Sequence, residues 1–128
     1  MDAALVFPVL LVLTFGSVEF GHFFYVKHTL QGAAREGARA AIPPGATNTD
    51  VTNAVNAAMS AAGFNTSKFT VHIRNAADTA NADVSTVTAG TGVLVKVNAS
   101  WGTVGVRPLG VIGSTKTVVG QTVMRKEG

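Results

Sequence analysis

The sequence predicts an α+β protein: a long N-terminal helix, then a small head with one helix and a three- to four-stranded antiparallel sheet packed on it. Three observations carry that expectation. Residues 3–18 read AALVFPVLLVLTFGSV, without a charge. Val51, Ala54, Val55, Ala58, Met59 and Ala62 recur at the period of an α-helix, while Phe69, Val71 and Ile73 alternate with polar residues as in a half-buried strand. Val93, Val95, Val97, Ala99 and Trp101 share a second strand face, and the β-branched run 115–124 reads as a third main strand.

The N-terminal run continues past one acid, Glu19, into Phe20, Phe23, Phe24 and Tyr25, a length that matches the hydrocarbon thickness of a bilayer. After Lys27 the chain becomes HTLQGAAREGARAA, with good helix formers and no proline until Pro43. One helix of residues 2–41 would be about 60 Å long. Its second half carries Ala33, Gly37 and Ala41 at four-residue spacing, a stripe of small residues along which another helix can approach closely. Arg35 and Arg39 stand near the helix C-terminus, where positive charge suits the dipole, and Glu36 lies one turn from Arg39.

Ile42-Pro43-Pro44-Gly45 ends this helix, because prolines cannot continue the hydrogen-bond ladder. The chain therefore divides into a helix of residues 1–42 and a head of residues 43–128. Asn48, Thr49 and Asp50 offer caps to the second helix, and Gly63 is its stop. Residues 75–91 are polar and small, with a short strand expected at 84–88, and residues 102–113 form a Gly/Pro-rich connection. A head of about 85 residues is small for an independent core. No cysteine is present to staple it, so the long helix, or neighbouring copies, must lend it an apolar face.

Net charge is +3, but charged residues make up 13% of the chain and the basic ones are scattered singly, which speaks against a nucleic-acid partner. No catalytic constellation, metal site or cofactor motif is expected. His22, His28 and His72 lack ligand spacing and no cysteine joins them. Asp78 and Asp83, with Asn75 or Asn81, could ligate a cation but do not fit the spacing of an EF-type calcium loop, and read as a solvated loop. Two Asn-x-Ser triplets, at Asn65 and Asn98, are of a kind that arises by chance.

The first forty residues resemble the N-terminal signature of TadE-like proteins, pilin-like components of bacterial tight-adherence (Tad) pilus systems. The resemblance rests on an early proline, Pro8; on Gly16, Glu19, Phe20 and Gly21; on Tyr25; and on residues 33–39, AAREGAR, with Glu36 and Gly37. It is weaker at Arg107-Pro108-Leu109 and at the C-terminal Met124, Arg125, Lys126 and Glu127. It implies a structural subunit, held in the bacterial inner membrane and then polymerised with copies of itself and other pilus components into an extracellular filament. The alternative it implies is a minor, membrane-anchored accessory to pilus assembly. Pilin-like precursors carry a basic leader removed by a prepilin peptidase. With Asp2 where the family usually has Glu, and no basic leader ahead of the apolar run, Met1 is expected to be the processed N-terminus.

In such an assembly Leu5, Val9, Val12, Phe15, Phe20 and Phe24 are expected to pack between subunits, together with the stripe Ala33, Gly37 and Ala41. Charge pairing that sets register falls to Asp2, Glu19, Lys27, Arg35 and Arg39. Asp2 either favours the helix dipole or, as the resemblance implies, neutralises the α-amino group of an adjacent subunit. Glu19 has two readings: hydration at the outer boundary of the bilayer, or pairing with Lys27, His22 or Arg35 of a neighbour.

Overall fold

The computed structural model describes residues 2–101 and 116–127, the side chain of Asp2 excepted. Helix α1 spans Asp2–Ala41 without interruption, Pro8 included, and α2 spans Asn48–Ala61. Strands β1 (Thr70–Asn75), β2 (Gly92–Ser100) and β3 (Thr117–Arg125) form an antiparallel sheet in the order β1-β2-β3. This is the expected α+β architecture with three strands. The connection expected at 102–113, including Arg107-Pro108-Leu109, lies outside the described residues.

Local chemistry accounts for the ends of α2, with one correction. The cap is Thr47, not Asn48, Thr49 or Asp50: its hydroxyl accepts from the Asp50 N–H at 3.3 Å, and the Asp50 carboxylate accepts from the Thr47 N–H at 2.9 Å. Asn48 instead reaches across the fold, donating to the Ala82 carbonyl and accepting from the Val84 N–H at 2.8 Å. At the other end Gly63, at φ +91°, lets the Gly63 and Phe64 N–H groups turn back onto the Ser60 and Met59 carbonyls.

Both helices cover one face of the sheet. Registry places Ile73, Val95 and Thr122 in one row and Val71, Val97 and Gly120 in the next, so the alternating apolar residues of all three strands meet α1 and α2. Val26, Leu30, Ala33, Ala34, Ala38 and Ala41 of α1 join Val51, Val55 and Met59 of α2 in that core. The sequence boundary at residue 42 is thus not a boundary in space: α1 from Val26 onward belongs to the head.

Two glycines permit the contact. A Cβ at Gly120 would stand 2.3 Å from the Leu30 carbonyl carbon, so the helix backbone lies directly on β3 there. At Gly37 a Cβ would meet Val55 Cγ2 at 2.6 Å and Val95 Cγ1 at 3.0 Å. Gln31 seals the outward edge of β3: its amide nitrogen donates to the Gln121 carbonyl at 2.6 Å and its oxygen accepts from the Gln121 N–H at 3.1 Å. On the opposite edge, the loop after β1 returns along the strand, with Ala82 N–H donating to the Ile73 carbonyl at 3.0 Å.

The short strand expected at 84–88 is not formed. Val84–Thr86 is a 3-10 turn whose cap, Asp83, accepts from the Ser85 N–H at 3.0 Å. Val84 is buried and its N–H is held by Asn48, so the segment closes the side of the core as a turn.

Candidate functional site

The structure presents two regions of functional interest, both organised by α1. The first is its N-terminal half. Leu5 is 75% exposed, Val9 57%, Val12 56%, Phe15 42%, Phe20 45% and Phe24 55%, and the intervening Leu10, Leu11 and Leu13 are exposed as well. A helix apolar on every side has no face to give to water, and is stable only within lipid or among other apolar helices. It is long and apolar enough to cross a membrane, with a mean hydropathy of 2.1 over its most apolar window.

Glu19 interrupts the exposure. Between exposed Val18 and Phe20 it is 0% exposed and engaged in a contact within the chain. Glu19 is thus covered within the chain itself. One turn later His22 and Phe23 contact the indole of Trp101, with ring centroids 5.8 and 5.2 Å apart, and Trp101 is fully buried. The head begins here.

The stripe Ala33, Gly37 and Ala41 is corrected. It does not face a neighbouring copy; its three residues lie in the chain's own core, and Gly37 is filled by Val51, Val55 and Val95. Small residues permit close approach wherever the partner comes from, and here the partner is the protein's own head. Lys27 lies beside β3, its Nζ 3.5 Å from the Val119 carbonyl, and Arg35 is exposed. Arg39 pairs with Glu36 at 3.3 Å, as the helical spacing predicts. The side chain of Asp2 is outside the described residues.

The second region is the outer sheet face, where the 75–83 loop folds over. Asp78, at φ +57°, pairs with Lys96 and Arg74, and Arg74 also donates to Asn81 Oδ1 at 2.9 Å. The bond from Lys96, and then that from Arg74, hold the Asp78 carboxyl below its ordinary range; the Ser85 hydroxyl and N–H do the same for Asp83. These loop carboxylates are thus taken up by cations and turns. Among the described residues no group of three His, Asp or Glu side chains is placed to hold a metal.

Lys126 carries weight that its place in a polar C-terminal cluster hides. Only 7% exposed, its ammonium donates to the Ala41 carbonyl at 3.1 Å and the Pro43 carbonyl at 2.8 Å, closing the end of α1, and the Glu127 N–H donates to Ile42 at 2.9 Å. The available sequence signals were a glycine inside a β-branched strand, for Gly120, and a lysine beyond a strand's end, for Lys126.

The TadE-like protein family model matches residues 1–39, which are the exposed apolar segment and the part of α1 that enters the head core. Over this helix the chain is similar to TadE-like proteins. The match supports the signature read from Pro8 to Arg39 and relates the chain to the pilin-like components of Tad pilus systems. Neither the curated proteins nor the solved structures gave a match. The head, residues 43–128, lies beyond the TadE-like match.

Proposed function

We propose that this TadE-like chain is a structural pilin-like subunit, anchored in the inner membrane by residues 3–22 and polymerised through that segment into the core of an extracellular filament. One observation carries the reading: a single helix is apolar and exposed on all sides over residues 3–18, yet sealed by its own head from Val26 onward. Burying each large apolar side chain away from water is worth about 1.5–3 kcal/mol, so once the segment leaves lipid a bundle of like helices is what covers it. Leu5, Val9, Val12, Phe15 and Phe20 are the packing residues; Ala33, Gly37 and Ala41 hold the head.

The filled stripe favours a second reading, a minor accessory subunit, because it removes one surface for repeated contact between helices. Quantitative mass spectrometry of sheared surface filaments separates the two. The proposal expects this chain as the dominant component; trace amounts beside another major subunit support the accessory role. A full-length chain that purifies without detergent as a monomer refutes both.

A further inference from the structure

The charges of the head are distributed unevenly along the helix axis. The end of the sheet where Ser100 pairs with Thr117 is the base, because Trp101 there contacts Phe23 and its N–H bonds the Lys116 carbonyl at 2.7 Å. The loop after α2 lies at the same level, since the Tyr25 hydroxyl is 3.5 Å from the Ala62 carbonyl. Lys68 lies beside Ser100 and Thr117 at this base, Lys116 directly precedes Thr117, and Lys27 stands next to Val119 of β3; Lys27, His28 and Lys116 are exposed.

Of the chain's seven carboxylates, Asp2 and Glu19 precede the base. The other five lie at mid-sheet or beyond: Asp78 against Lys96, Glu36 one residue from Gly37, which meets Val95, Asp50 at the start of α2, Asp83 beside the Asn48 contact, and Glu127 at Ile42. Among the described residues the carboxylate nearest the base is Glu19, which is fully covered within the chain.

We propose that the base of the head is a docking surface for anionic phospholipid headgroups. This rests on the membrane-anchor part of the reading above. A hydrocarbon core about 30 Å thick takes up about twenty helical residues; the exposed apolar run 3–18 supplies most of that length, and the span ends where the chain itself covers Glu19. Lys27 and His28 then fall in the headgroup layer, and Phe24 and Tyr25 at its inner boundary, where aromatic side chains favour the interface. Lys68, beside Ser100 and Thr117, and Lys116, next to Thr117, belong to the same end of the head. A second copy is the poorer occupant. At the far end Glu36 is paired with Arg39 and Asp78 with Arg74 and Lys96, and Arg125 stands beside the remaining carboxylates, so it offers the lysines no strongly negative surface.

The test uses the full chain reconstituted in phosphatidylcholine bilayers, with trace spin-labelled phosphatidylglycerol or phosphatidylcholine reporting which lipid the protein retains at its boundary. The wild type should prefer phosphatidylglycerol by about threefold, a preference lost at high salt. Lys27→Gln/Lys68→Gln/Lys116→Gln should remove it, whereas Arg39→Gln/Arg125→Gln, at the other end, should not. Matched circular dichroism and melting confirm that the variants fold. An inserted wild type without preference, or a triple variant as selective as wild type, overturns the inference alone. Salt-sensitive oligomers that depend on the three lysines, without lipid preference, overturn it in favour of a second copy. A chain extractable by carbonate overturns the membrane anchor itself, and the inference with it.

Discussion

Replacing Gly120 by alanine tests the principal contact of the head. The added Cβ would lie 2.3 Å from Leu30 C, 2.4 Å from Gln31 N and 2.5 Å from Leu30 O, at least about 1 Å inside ordinary carbon contact. These are backbone atoms, so no rotamer change relieves the clash; α1 must lift from β3 or β3 must bow outward. Overpacking where side chains can yield costs about 1–3 kcal/mol. Here the displacement also strains the paired Gln31–Gln121 bonds, worth about 1 kcal/mol each, which brings the expected loss to about 3–5 kcal/mol. With a urea slope near 2 kcal/mol/M, the midpoint should fall by roughly 2 M. The assay is urea unfolding of the full chain in detergent, followed by fluorescence of the single, buried Trp101. Gly32→Ala is the control, since nothing lies within 4 Å of its added Cβ, and removing a helical glycine should raise stability by up to about 1 kcal/mol. If Gly120→Ala unfolds at the wild-type midpoint, direct backbone contact between α1 and β3 is wrong.

Three further outcomes are expected. Gly37→Leu should destroy cooperative unfolding of the head, because its side chain enters the space of Val51, Val55 and Val95; a variant that melts normally yet fails to assemble would return Gly37 to an intersubunit role. Lys126→Met should lose about 2–3 kcal/mol by leaving the Ala41 and Pro43 carbonyls unpaired, seen as a lower melting temperature and faster exchange of the Glu127 amide. Asp78→Asn, which keeps a side chain tolerant of the left-handed backbone, should be less stable than wild type at neutral pH. Because the folded carboxyl titrates below its ordinary range, the wild-type advantage is full above that range and vanishes as pH falls through the depressed value. Thermal melts from pH 7 to pH 2 check this, and a constant gap throughout would refute it.

The elements were legible because their signals are local. Pro43 and Pro44 end α1, Gly63 ends α2, and alternation marks β1 and β2, each within a few residues of the structure it produces. What escaped the sequence depends on partners far along the chain. The spacing of Ala33, Gly37 and Ala41 says that something packs closely, but not that α2 and β2 of the same molecule do so. The burial of Glu19, the edge bonds of Gln31 to a residue ninety positions away, and the reach of Lys126 to Ala41 have no local signature. For Val84–Thr86, β-branched composition suggested a strand, but the tether from Asn48 prevailed over that propensity.

The unbroken run of α1 from the apolar segment into the core removes any swivel between anchor and head. Each residue advances about 100° around the helix axis, so the side of the apolar segment that meets a neighbour fixes the compass bearing of the sheet above it. Rolling one helix against the next would swing the whole head through the same angle. The azimuth and spacing of the heads would therefore copy the helix lattice beneath them, and a torque applied to the heads would be delivered directly to the buried segment.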